Sequence, residues 1–500
     1  MASVNFLTFT EGLYTDTSPL MIPDGQGQVA GALYAMSNVN HVYRLGQLMK
    51  RPGYQKVSAT LESGKSITGL HNFRQSASVQ KMLATVDDAT SDDTQLFYKT
   101  NAGAWTEIAG AETAWANKAG ISVEMEDFVG YCFFVGYGST DGFISPRTLT
   151  GTTFGTTNTT SMPNAKFIKR YRDRLYLFNC DISGTAYPFR SYYSDVPAAG
   201  VVTWDTTNNF LDVDYSEEIT GAGENWDRLL LFTEYSCYMY NQSEFKKVWD
   251  VGCSAHRTIK NSGAYTIFAN RDGVWITTGG RPENVAARVI DFIRSADMTS
   301  SFAEVVDEEY HLYIGSATVN GISYSKCSLI LHIPSKTWRV NEYYDTMTIF
   351  SKFYNAGQDY LYMGANDGDV HRLGKYTDTT LFKTDACVSS GTDGQPMHSF
   401  FQTGALYFGD PSSKKKFNKL VTYADKAQTL SLKSRALDRN TLATTPFKKM
   451  GQLTEYINEF QVNPDKGNFL QIEGAEIGSN EHWSLLGFTV DISLDQPLKK

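Results

Sequence analysis

From about residue 66 to 375 the chain is built of short aromatic-rich apolar runs, each ended by a cluster of turn residues. That pattern predicts antiparallel strands joined in successive hairpins. The runs recur. Phe167 to Asn179 and Asn225 to Tyr240 both carry Asp-Arg-Leu ahead of an apolar strand, as Asp173-Arg174-Leu175 and Asp227-Arg228-Leu229. A second class sets Asp-Gly between aromatic strands, at Asp141-Gly142, Asp272-Gly273 and Asp367-Gly368, where the dipeptide predicts a two-residue hairpin turn with positive φ. Tryptophans close segments at similar places: Trp105, Trp204, Trp249 and Trp338.

Five to seven such units can be counted, near 66–108, 121–160, 166–205, 217–250, 260–295, 303–341 and 347–375. One small sheet cannot bury both faces until it is stacked against neighbours, so repeating units of this kind predict a β-propeller-like domain over 66–395. Two unrelated β-sandwiches would give similar local signals. Between Arg281 and Ser301, Val285, Val289, Phe292 and Ile293 fit one short amphipathic helix. In 396–500 the runs Leu420 to Tyr423, Thr429 to Leu432, Phe469 to Ile472 and Leu485 to Ile492 predict a C-terminal antiparallel β domain. Residues 1–65 are interrupted by Gly12, Pro19, Pro23, Asp24-Gly25, Gly27, Gly31, Gly46 and Arg51-Pro52-Gly53, so they read as an extended lead-in that closes or joins something else. The fold class expected is all-β.

Composition agrees: 29 Tyr and 29 Phe stand against 13 Met, and 41 Gly against 14 Pro. The net charge of −9 disfavours avid nonspecific nucleic-acid binding, but it is unevenly spread. The last hundred residues hold 13 Lys/Arg against 11 Asp/Glu, or +2, which leaves −11 for the first four hundred. Six scattered cysteines with no C-x-x-C spacing exclude a disulfide framework and predict buried thiols. No basic stretch leads into an apolar one at the start, and no run of about 18 apolar residues occurs, so neither a secretory signal nor a membrane-spanning segment is expected.

Candidate chemistry is sparse. The carboxylate pairs Asp87/Asp88, Asp92/Asp93, Asp212/Asp214, Glu217/Glu218 and Glu308/Glu309 mostly lie in turn-rich, polar settings, as solvated surface charge does. Asp212, Asp214 and Glu217 suggest a calcium site only in outline, without the ligand spacing of a known loop. The eight histidines never occur at i, i+4, so no zinc site from local ligands is expected. Ser194 to Trp204 has the letters of a sialidase turn at the wrong spacing, and no phosphate loop or nucleophile elbow is present. No catalytic, cofactor or metal residue is assigned. One charge run stands out: Lys414, Lys415, Lys416 and Lys419 surround Phe417 after the turn Gly409-Asp410-Pro411. It reads either as a lysine-blunted hairpin edge or as a contact for DNA phosphates or an acidic neighbouring subunit.

Three stretches resemble the tail hub or nozzle proteins of short-tailed bacteriophages, the group that includes packaged-DNA stabilisation proteins and tail tubular protein B. The first runs from Gly12-Leu13-Tyr14-Thr15-Asp16 through Ile22-Pro23-Asp24-Gly25 and Asn38-Val39 to Lys50-Arg51-Pro52-Gly53-Tyr54. The second includes Asp173-Arg174-Leu175-Tyr176, Phe210 to Asp214, Ile219-Thr220-Gly221, Asp227-Arg228-Leu229, Val251-Gly252-Cys253 and Arg271-Asp272-Gly273-Val274-Trp275. The third is Tyr407 to Lys416. The resemblance implies a non-enzymatic virion protein, assembled in the host bacterial cytoplasm. It implies a ring, expected to be a homohexamer, below the portal and adaptor proteins. That ring would continue the channel for double-stranded DNA, retain the genome and carry fibres, spike or needle. It supplies no residue-level site. The alternative reading is a tail-associated receptor-binding protein that binds or degrades glycans, and a third is a generic propeller scaffold.

Overall fold

In a computed structural model of the chain, residues 2–3, 8–16, 18, 21–22, 31–44, 46–76, 79–101, 103–355, 357–378, 383–388, 393–408, 412–425, 429–437, 446–462, 466–476 and 481–494 are described. Pro19, Pro23, Asp24-Gly25, Gly27 and Gly409-Asp410-Pro411 lie outside these residues. Among them the apolar runs become nine antiparallel sheets. Seven are blades, at 67–107, 122–155, 164–212, 221–249, 260–284, 302–342 and 347–373. The first strand of each blade packs on the first strand of the next, and that of blade 7 packs on that of blade 1. The arrangement is all-β and propeller-like, closed in a ring.

Burial explains the ring. In blade 4, Leu229 and Leu231 pack against Tyr176 and Phe178 of blade 3, while Leu230 and Phe232 pack against Phe268 of blade 5. Successive side chains point to opposite faces, so an uninterrupted apolar strand is stable only between two neighbours. Each of the other junctions has its own apolar cluster. The six cysteines are buried and unpaired.

The hairpins depart from expectation in one respect. No Asp-Gly forms the two central residues of a turn. Asn270 already pairs with Gly273, so that turn is Arg271-Asp272, and Gly273 lies so close to Asn284 that a Cβ would sit 2.3 Å from its side chain. Residues 139–141 and 366–368 are three-residue connections. The first hairpins of blades 2 to 6 all have two-residue turns with a left-handed first central residue: Val129, Arg172, Trp226, Gly263 and Asp307. The Asp-Arg-Leu repeats mark two of these, and they interlock, with Arg172 bonding Asp227 across blades at 3.3 Å. Trp105 and Trp204 precede outer strands, Trp249 ends one and Trp338 lies in one. The expected helix is short, Ile290–Ser295 between single turns at Ala287–Val289 and Met298–Ser300, and it buries Val289, Phe292 and Ile293.

The remaining two sheets share the core of blades 5 and 6 through Phe401, Leu420, Leu470, Trp483 and Phe488. One joins Val39–Asn40 and Leu48–Lys50 to Ser484–Leu494, Lys415–Ala424 and Ile457–Gln461; the other joins Leu33–Ser37 to Ser399–Thr403, Phe469–Glu476, Ser431–Leu437 and Lys448–Gln452. N-terminal strands thus complete both C-terminal sheets. The next one, Tyr54–Lys56, is the outer strand of blade 7, so the ring is closed by chain from outside the repeat.

Candidate functional site

The first strands of all seven blades line a cavity of about 300 Å³ on the ring axis. Short strands at the centre of a ring bring alternate residues inward, and here those residues are largely charged. Arg257 reaches Glu124 at 2.7 Å and also donates to the Thr68 and Val123 carbonyls. Lys169 pairs with Glu126 at 3.2 Å, Lys260 with Glu304 at 3.2 Å, and His71 with Asp127 at 2.8 Å. Every one of these pairs joins different blades. Burial opposes ionisation of Glu124, but the charge and hydrogen bond of Arg257 outweigh it and hold the carboxyl below its usual range.

His256 accepts a hydrogen bond from the Ala222 N–H on Nδ1 at 3.1 Å and stacks on Phe167. Burial lowers its pKa to about 4, so the ring is neutral at pH 7, with its hydrogen on Nε2, 3.9 Å from Glu124. Glu224 makes no ion pair among the described residues; burial raises its pKa, Lys169 opposes this and Glu126 adds to it. The axis therefore offers a polar interior in which most of the charged groups are paired. Among the described residues no nucleophile is held against a base there, and a DNA duplex does not fit in a cavity of about 300 Å³.

The Lys50-Arg51-Pro52-Gly53-Tyr54 run is the joint between ring and C-terminal sheets. Arg51 is buried and uses all five N–H donors: Asp385 bidentately at 2.9 and 2.8 Å, Asn38 Oδ1, and the carbonyls of Pro52 and Glu342. Lys50 pairs with Glu476 at 2.8 Å, both fully buried. Gly53 passes so close to residue 384 that a Cβ would meet the Thr384 carbonyl at 1.8 Å. Tyr54 begins the closing strand and donates to Asp345.

The lysine run does not form one surface. It lies on Lys415–Ala424, which is paired on both sides, by Ser484–Leu494 and by Ile457–Gln461 with Lys466–Gly467. The hairpin-edge reading is thus corrected: the strand is interior to its sheet. Alternation turns Lys415 inward with Phe417, and Lys415 is 1% exposed, so it is withdrawn from the contact surface. Lys414 and Lys416 are exposed, and Lys419 pairs with Glu459 at 2.6 Å.

The calcium outline also dissolves. Asp212 is bound bidentately by Arg190 at 2.6 Å, Asp214 accepts from Ser216, and Glu217 accepts from Thr233 and Ser236, so the three carboxylates answer to different partners. Asp88 and Asp93 cap turns, and Glu218 pairs with Lys166 at 2.7 Å. Glu309 pairs bidentately with Arg339. Two groups of potential metal ligands do converge among the described residues: His71, Asp127 and Cys132, and Asp367, Asp369 and His371. Histidine motifs at the i, i+4 spacing of a helix do not cover the second group. Its signal is the spacing Asp-x-Asp-x-His at a hairpin end, where the turn at Gly368 brings Asp367 round to Asp369 and His371.

No family model matches the chain, and no curated protein matches it in sequence. Among solved structures, the AfRom2 CNH domain is similar over 65% of this chain and 100% of that chain, at 8% identity and a TM-score of 0.39. A likeness at that level carries no argument about function.

Proposed function

We propose that this chain is a non-catalytic structural protein of a short-tailed phage tail. In that role it forms part of a hub or nozzle ring below the portal and adaptor, continues the DNA channel, retains the packaged genome and anchors fibres, spike or needle. The observation that carries the reading is where the residues of the resemblance sit. Gly12 bridges to Trp338, Asn38 and Arg51 share a hydrogen bond, Arg51 grips Asp385, and Asp227 ties blade 4 to blade 3. They join sheets and assemble no reactive group.

The filled axis of the ring directs the DNA path elsewhere. In this reading the conduit lies between several copies of the chain, with each propeller beside it. A net acidic subunit suits a channel in which DNA must slide, since each phosphate neutralised adds affinity through counterion release. Lys414 and Lys416 then supply only a local contact with phosphates or with an acidic neighbour.

Electron microscopy of virions, with native mass spectrometry of the purified chain, tests the proposal. Six-fold density on the tail axis directly below the portal is the expected result. A peripheral trimer that cleaves host polysaccharide refutes it and favours the glycan reading, for which the exposed Trp226 beside Asp227 and Arg228 offers a stacking surface.

A further inference from the structure

We propose that Asp367, Asp369 and His371 form a binding site for a divalent transition-metal ion, zinc by preference, beside the closing strand of the ring. One carboxylate oxygen from each aspartate and one ring nitrogen of His371 lie within 4.8 Å of one another. Two donors on zinc at about 2.1 Å are at most about 4.2 Å apart, so a small side-chain rotation brings all three into the first coordination shell. The hairpin is built for that approach: Gly368 turns in the left-handed region against the Glu62 carbonyl, setting Asp367 and Asp369 on the side of His371.

The observation that points to a ligand is His371 itself. It is 1% exposed, and neither ring nitrogen makes a hydrogen bond. Asp345 Oδ2 lies 3.2 Å from Nε2 but off the direction of its N–H, and the ring edge packs on Tyr54. Burying a ring nitrogen without a hydrogen bond is costly, so such groups are rare unless something else satisfies them. Asp369 shows the same demand for positive charge, holding the Lys56 ammonium at 2.8 Å.

The other convergent group lacks these marks. His71 already bonds Asp127, Asp127 also accepts from the Arg74 N–H, and burial raises the Cys132 thiol well above its usual range, keeping it protonated.

One imidazole with two carboxylates is a borderline donor set that suits zinc or manganese over calcium, which prefers an all-oxygen shell. Lys56 belongs to the closing strand and competes for Asp369, so the site reads whether that strand is seated. Partly exposed Asp367 and Asp369 give the ion its entry.

The test is zinc titration of the chelator-stripped full chain by calorimetry, with cobalt as a spectroscopic probe and calcium as a control. One equivalent of zinc is expected to bind and to raise the melting temperature. Cobalt should give the absorption of a mixed nitrogen and oxygen site, and calcium should bind at least tenfold more weakly. Asp367→Asn and His371→Gln should each weaken zinc at least tenfold, and Lys56→Met should tighten it. Circular dichroism of the stripped variants checks folding, and if His371→Gln does not fold, partly exposed Asp367→Asn decides. Affinity unchanged in the folded variants, no stoichiometric binding, or binding abolished by Cys132→Ala instead overturns the proposal.

Discussion

Replacing Arg51 with methionine removes the side chain that, among the described residues, hydrogen-bonds a buried carboxylate at the joint between ring and C-terminal sheets. Asp385 keeps 4% of its side chain exposed and loses two charge-assisted hydrogen bonds, while Asn38 and two carbonyls lose theirs. Removing one member of a buried ion pair costs about 3–5 kcal/mol, because the remaining charge stays desolvated. Replacing both members with apolar side chains costs far less. Arg51→Met should therefore destabilise by about 4 kcal/mol, and Arg51→Met with Asp385→Leu should recover most of that. For 500 residues melting as one unit, an unfolding entropy of about 2.1 cal/mol/K per residue converts 4 kcal/mol to a fall of about 4 °C. Because the pair links the N-terminal strands to the segment between the two modules, scanning calorimetry should also split one transition into two. Arg51→Lys should fall between, since an ammonium cannot make the bidentate pair. A single-variant cost below about 1 kcal/mol in guanidinium unfolding, or a double variant as unstable as the sum of the singles, refutes the reasoning.

Gly53→Ala should cost about 1–3 kcal/mol in the same unfolding assay, as a methyl group there meets the Thr384 carbonyl. His256 is neutral in the fold and titrates near pH 4, below the unfolded value of 6.5, so the unfolded chain takes up the proton first. Its contribution is lost as pH falls from about 6.5 toward 4, by on the order of 3 kcal/mol; His256→Gln should flatten that part of the stability profile, and an unchanged slope counts against the neutral ring. Lys414→Glu with Lys416→Glu should lower DNA retention in assembled tails without changing the melting temperature, and unchanged retention removes the phosphate contact. Trp226→Ala, at an exposed turn, should alter stability by less than about 0.5 kcal/mol.

Much of this architecture is visible along the chain because it is local. The aromatic runs and turn clusters mark each sheet, since alternation along a strand records which faces are buried. Asp-Arg-Leu marks two inner hairpins, although that it ties adjacent blades together depends on their packing. The Asp-x-Asp-x-His spacing is likewise present in the sequence, but the burial of His371 and the approach of Lys56 and Asp345 come from segments remote in the chain. The lysine run shows the opposite case, in which local reading misleads. Four lysines look like an exposed edge until strands from residues 457–461 and 484–494 cover both sides and alternation buries Lys415.

An all-β chain of repeating small sheets with an uneven charge is legible from the order of residues alone. Strand periodicity and turn chemistry are properties of neighbouring residues, and they need no knowledge of the rest of the chain. That Tyr54–Lys56 closes the seventh blade, that Arg51 finds Asp385, and that the axis is lined by ion pairs between blades follow from long-range packing. Those pairings join residues hundreds of positions apart, or on different blades. The free energy that selects them comes from burying surfaces together, which no local pattern records.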